Sequence, residues 1–231
     1  MNSRVARIIG GSALVAAAAA AAYPVPVRRW YLTWGARPDE VARDLPGDDL
    51  LPDPDMLSTR AISIAAPPEA IWPWLVQLGR GRGGAYTYDW IENLLGLNMH
   101  SANEILPEHQ HLKVGDLLPV GPDTPGMRVE ILDANRALVF QSADRDWIWA
   151  FVLDPQGDVT RLISRNRIAM TSPSLGRRLI NRLVMEPGSL VMERKMLLGI
   201  KQRAEGHHRP PTSAPPSAET GTGSHATVHS R

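Results

Sequence analysis

Apolar and polar positions along the central chain change period several times, and each period predicts an element. In TRAISIAAPP, Ile62 and Ile64 flank Ser63 in alternation, which predicts a strand ended by Pro67 and Pro68. Pro68 suits the first turn of a helix. Ile71, Trp74, Leu75 and Leu78 follow at helical spacing, and Gly79 stops the run. A second short helix is expected over roughly 88–97, with Ile91, Leu94 and Leu95 on its apolar side. From 105 to 170 the pattern is that of strands, with turns at Gly115-Asp116, Gly121-Pro122, Pro125-Gly126 and Gln156-Gly157-Asp158. In DWIWAFVL, Trp147, Trp149, Phe151 and Leu153 share one face, and VTRLISRNRIAM returns after a tight turn. Residues 174–205 read as helix, interrupted at Glu186-Pro187-Gly188. The order is strand, two short helices, an antiparallel run and a long terminal helix, which is an α+β pattern.

The two ends follow other rules. Residues 8–22, IIGGSALVAAAAAAA, carry no charge and are flanked by Arg4, Arg7, Arg28 and Arg29. Residues 1–28 are read as an N-terminal hydrophobic helix that anchors the chain in a membrane. The alternative is export after signal cleavage, since Ala20–Ala22 offers an Ala-x-Ala site. Residues 206–231 hold four Pro and one apolar side chain larger than Ala, Val228, so a disordered tail is expected there. The folded domain is therefore assigned to residues 29–205.

Composition narrows the chemistry. The net charge of +1 argues against a nucleic-acid partner, which would require a basic stripe. Cysteine is absent, which excludes disulfides, thiolate metal sites and cysteine nucleophiles. Seven of the thirteen aromatic residues are Trp. Seven acids lie between Asp39 and Asp55 without the alternating spacing of a calcium loop, so this stretch reads as a solvated acidic surface.

Several sequence words in order resemble one superfamily. IAAPPEAIWPWLVQLG is similar to the opening strand and helix of START-like, pollen-allergen-like (SRPBCC) proteins. GGAYTYDWIENLLGL, SANEILPEHQHLKVGD, TRLISRNRI and MEPGSLVMERKMLLGIK resemble its bacterial polyketide cyclase/dehydrase and lipid-transport-like branch. The resemblance implies a helix-grip fold, in which a curved antiparallel sheet wraps a long C-terminal helix around a hydrophobic cavity. It implies no set of catalytic residues, because such folds host many activities.

The candidate chemistry is sparse. Gly79, Gly81 and Gly84 spell G-x-G-x-x-G, but they follow a helix rather than a strand, so a helix cap and a gating loop are expected instead of a nucleotide site. His100, Glu104, Glu108, His109 and His111 lack H-E-x-x-H spacing, and neither a metal nor another cofactor is expected. Stepped by about 100° per residue, Glu193 falls inside an apolar arc of Met192, Met196, Ile200 and Leu197, which makes it a candidate polar anchor. On the last strand, alternation favours Ser164 and Asn166 facing inward, with Arg161, Arg165 and Arg167 solvated. Trp74, Tyr86, Tyr88, Trp90, Trp147, Trp149, Asn166, Met192, Glu193 and Met196 are the candidate ligand-binding residues. The function read from them is binding or transport of a lipid or other hydrophobic small molecule. The alternatives are a cyclase or dehydratase using Tyr86, Tyr88 or Glu193, and a scaffold whose acidic 39–55 stretch meets a partner.

Overall fold

The computed structural model describes residues 24–94, 96–119, 126–170 and 174–208. The apolar run 8–22, Leu95, the turn at Gly121-Pro122 and the chain beyond His208 lie outside these residues. Helices α1 (Pro24–Leu32) and α2 (Pro38–Ala42) lead into β1 (Met56–Ile64), α3 (Pro68–Val76) and α4 (Asp89–Leu94). Strands β2 (Leu117–Leu118), β3 (Met127–Asp133), β4 (Ala137–Ser142), β5 (Trp147–Gln156) and β6 (Val159–Ile168) follow. Helices α5 (Leu175–Ile180) and α6 (Glu186–His208) close the chain, joined by five residues of π-helix over 181–185.

The strands form one antiparallel sheet in the order β1-β6-β5-β4-β3-β2. Each step from β3 to β6 is a hairpin, and β1 adds to the far edge through a register that sets Ser58 opposite Asn166. A bulge between Val129 and Ile131 shifts the register of β3 against β4. Helix α6 lies across the inner face, against α3 and β1. This is the helix-grip arrangement that the sequence motifs imply.

Alternation decides which side chains enter the core. Ile64, Val129, Leu138, Phe140, Phe151 and Leu162 point inward and meet Ile71, Trp74 and Leu75 of α3 and Met196, Leu197 and Ile200 of α6. Gly199 lets α6 approach the chain at Tyr86, since a Cβ there would stand 2.6 Å from the Tyr86 carbonyl oxygen. The outer face is covered too, by Leu45 on Ala61 and Ile163, and by Leu50 and Leu51 near Val139, Ile148 and Ala150.

That covering corrects two expectations. Arg161, Arg165 and Arg167 do point away from the inner face, but they are buried beneath residues 35–52 rather than solvated. Arg161 donates from Nε and Nη2 to the Glu40 carboxylate at 2.7 Å each, and Arg165 pairs with Asp48 and caps the carbonyls of Glu40, Val41 and Arg43. The acidic stretch is therefore only partly a solvated surface. Asp39, Asp44, Asp49, Asp53 and Asp55 are exposed, whereas Glu40 and Asp48 hold the cover onto the sheet. Glu40 and Asp48 are thus taken up by the protein's own sheet, while the five exposed acids keep the outer surface acidic.

The terminal helix is also more continuous than expected. Pro187 lacks an N–H, and the helix absorbs this in the wider turn just before it, where the Glu186 N–H bonds the Asn181 carbonyl. The helix runs on to His208, and the His207 ring packs edge-on against Trp74 at 5.0 Å.

Candidate functional site

Between α6, the β1–β6–β5 end of the sheet and the segment 85–99 lies a cavity of about 480 Å³. Its wall is mostly apolar: Met56, Met99, Met192 and Met196, the faces of Trp147 and Trp149, and Ile168. A second, smaller pocket of about 60 Å³ shares Ala85, Met99 and Trp149 with it and is lined further by Leu118 and Phe140. The two indoles stack at 5.7 Å, being two residues apart on one face of β5. Each is fixed by its ring N–H, with Trp147 donating to Asn166 Oδ1 at 2.8 Å and Trp149 to Ser164 Oγ at 3.0 Å. Stacked indoles with their ring N–H groups already satisfied make a rigid, mainly apolar wall.

The polar part of the wall centres on Glu193, which is only 7% exposed. Arg60 of β1 donates to its Oε2, and the Asn166 amide lies 3.2 and 3.3 Å from the two carboxylate oxygens. Arg60 also donates to the Tyr31 carbonyl at 3.0 Å and to Ser189 Oγ at 2.9 Å, joining α1, β1 and α6. A buried carboxylate needs such a partner. The partner is Arg60, which the sequence reading did not single out; its inward register with Ser58 and Ile62 on β1 was the available signal. Glu186 follows the same rule at the rim, held by Arg28 at 2.8 and 2.9 Å and by the Tyr31 hydroxyl at 3.1 Å.

Of the ten candidate residues, the structure brings Trp147, Trp149, Asn166, Met192, Glu193 and Met196 to the cavity wall. The other four are elsewhere. Trp74 is fully buried in the core beside Tyr86 and His207. Tyr86, 1% exposed, has a positive φ of 56° that turns its ring into the core, where its hydroxyl donates to the Trp74 carbonyl at 3.1 Å. Burial pushes that phenol well above its ordinary value, against the pull of Gln77 and two arginines, so it is no acid–base group near neutrality. Tyr88 lies against the Lys195 ammonium at 5.6 Å, and Trp90 is 69% exposed.

Helix α4 is rotated from its expected face. Leu94 is exposed, while Glu92 points inward and reaches the cavity. Asp89 accepts from the Ser101 N–H at 2.8 Å and the Ser101 hydroxyl at 2.6 Å, tying the following loop back. The glycine loop is likewise pinned. Gly79 and Gly84 exchange backbone bonds of 3.0 and 3.1 Å, and Arg82 donates to the carbonyls of Val76 and His109. Only Ala85 and Thr87, beyond that hairpin, reach the main cavity wall. Its rim is instead formed where Asn181 contacts Met170 Sδ at 2.8 Å and Met185 projects from the π-helical turn.

Among the described residues, no group of three potential ligands could hold a metal ion. None of their helices is long and apolar enough to cross a membrane.

No family model matches the chain, and no curated protein matches it. Solved structures do. The Polyketide_cyc-like protein Cgl2372 from Corynebacterium glutamicum is 16% identical, with 67% of this chain and 97% of that one covered at a TM-score of 0.34. The AHSA1-like protein RHE_CH02687 (1-152) from Rhizobium etli is 16% identical over 76% and 94% of the two chains, at 0.38. The Aha1 dimer from Colwellia psychrerythraea is 16% identical over 65% and 96%, at 0.39.

Proposed function

We propose that this protein binds a lipid or another hydrophobic small molecule in the cavity under α6 and holds it without chemical change. The observation that carries the reading is a mainly apolar space of about 480 Å³ between α6, the sheet and the segment 85–99. That size falls within the range of about 300–1,000 Å³ usual for small-molecule sites, and a mainly apolar wall with few polar groups is their usual lining. The cyclase or dehydratase reading has lost its phenols, because Tyr86 and Tyr88 do not line the cavity, and Glu193 is committed to Arg60 and Asn166.

The reading extends to the membrane. The apolar run 8–22 immediately precedes α1, whose Arg28 and Tyr31 bond Glu186 at the cavity rim. Leu175, Ile180, Leu183, Val184 and Met185 are exposed beside that rim, with Arg178 and Arg182 among them. An apolar ridge interleaved with arginine suits an anionic bilayer surface. In this proposal residues 8–22 tether the chain, and the ridge rests on the bilayer that supplies the ligand.

Native mass spectrometry of the full chain, released from cell membranes in mild detergent, tests the reading. A co-purifying apolar molecule that is returned unchanged supports it. Turnover of that molecule, or an empty cavity after exposure to total lipid extract, overturns it.

A further inference from the structure

The cavity wall carries a second inward carboxyl, and it is treated differently from Glu193. Glu92 is 5% exposed, and its Oε2 has no hydrogen-bond partner. Thr87 lies next to it, near enough for its hydroxyl to lower the Glu92 carboxyl, yet its Oγ1 makes no hydrogen bond of normal geometry. Both residues line the cavity. They meet because α4 starts at Asp89, two residues after Thr87, with the Ile91 and Glu92 N–H groups bonding the Tyr88 carbonyl. Native proteins satisfy nearly all buried polar atoms, so two adjacent exceptions facing one space point to the group that fills it.

We propose that Glu92 and Thr87 form a recognition subsite for a hydroxyl group carried by an otherwise apolar ligand. This rests on the carrier reading above and adds the chemistry of the ligand's polar end. A hydroxyl both donates and accepts, so it satisfies Glu92 Oε2 and Thr87 Oγ1 together whichever protonation state Glu92 holds. A ligand carboxylate or phosphate would stand close to the Asp89 carboxylate, and would meet a second like charge wherever Glu92 is ionised. The cavity-lining cation that could offset it, Arg60, is already held by Glu193. An ammonium would require ionised Glu92. Burial and the charge of Asp89 push that carboxyl above its ordinary range, against the pull of the Thr87 hydroxyl.

The full chain is loaded with the neutral fluorescent probe N-phenyl-1-naphthylamine, which is then displaced by 1-decanol, decane, decanoate or decylammonium. The expected result is that decanol displaces the probe at a concentration about tenfold lower than decane, the worth of one well-made buried hydrogen bond. Glu92→Leu and Thr87→Val should each abolish the preference for decanol over decane, while a cooperative urea unfolding transition shows that the variants fold. Glu92→Gln should keep most of the preference, because an amide still donates and accepts. Equal displacement by decanol and decane in the unaltered chain overturns the subsite and leaves the carrier reading standing. So does a preference for decanoate or decylammonium, or a decanol preference that survives in Glu92→Leu. Failure of the probe and of all four competitors to bind overturns the carrier reading, and the subsite with it.

Discussion

Arg60 and Glu193 form an ion pair between the outermost long strand and the terminal helix, with the Arg60 side chain fully buried and that of Glu193 nearly so. Removing one member leaves the other as an uncompensated buried charge, which typically costs about 3–5 kcal/mol. Arg60→Ala and Glu193→Ala are each expected to lower stability by that amount in urea unfolding. The double replacement Arg60→Met with Glu193→Met should fall well short of the sum, because a buried pair exchanged for packed apolar groups is often close to neutral. Additive losses in the two single variants and the double would show that the residues act independently.

The outer clamp gives a pH dependence of defined sign. Burial raises the Glu40 carboxyl, but the Arg161 guanidinium and the Arg37 N–H outweigh it, and the net direction is down. A carboxyl depressed in the folded state stabilises above its ordinary range, and that contribution is lost as pH falls through the folded value. Glu40→Gln is therefore expected to be less stable at pH 7, by roughly 1–3 kcal/mol for charge-assisted bonds. The gap to the unaltered chain should shrink as pH drops below about 4. Thermal unfolding at a series of pH values reads this directly, and a gap independent of pH would place the effect elsewhere than in the ionised carboxylate.

Much of this architecture was legible in the chain, for identifiable reasons. Period-two alternation with few interruptions marks β5 and β6, so Trp147, Trp149 and Asn166 could be assigned to the inner face before any coordinates. Glu193 was legible because a lone carboxylate inside an apolar helical arc is conspicuous. What alternation could not tell is whether the opposite face is wet. Arg161, Arg165 and Arg167 look like solvent residues until residues 35–52 fold over them, a long-range event that no local period encodes. Tyr86 was misplaced because a positive φ at a non-glycine residue reverses the direction of its side chain. Six residues of α4 are too few for the apolar pattern to fix a face, and there tertiary packing chose Glu92 over Leu94.

Glu92 should show the opposite pH behaviour to Glu40. Burial, reinforced by Asp89 and opposed by Thr87, raises its carboxyl in the folded chain. A raised folded value means full stability below the ordinary glutamate range and a loss as pH rises through the folded value. Glu92→Gln is accordingly expected to be more stable than the unaltered chain at pH 7, with the advantage fading below about pH 4. For a domain of this size, relief of about 1 kcal/mol corresponds to about 2–4 °C in Tm. A Glu92→Gln chain less stable at neutral pH would mean that the carboxylate has a partner in solution.

The ridge beside the cavity separates membrane contact from fold stability. Leu183 and Val184 are both more than half exposed, so Leu183→Asp with Val184→Asp should leave unfolding within about 0.5 kcal/mol of the parent, as surface changes usually do. Membrane binding should respond far more. Each side chain stands to lose most of the roughly 1.5–3 kcal/mol that full burial of such a group provides, and each new carboxylate is repelled by anionic headgroups. In a chain beginning at Pro24, which lacks the 8–22 run, the pair of substitutions is expected to weaken co-sedimentation with phosphatidylglycerol vesicles by at least about tenfold. Arg178→Gln with Arg182→Gln should weaken it less, and should remove most of its dependence on salt, since screened attraction to the surface is what those arginines contribute. Vesicle binding that survives the aspartates would assign the ridge to some other contact and overturn its part in the proposal.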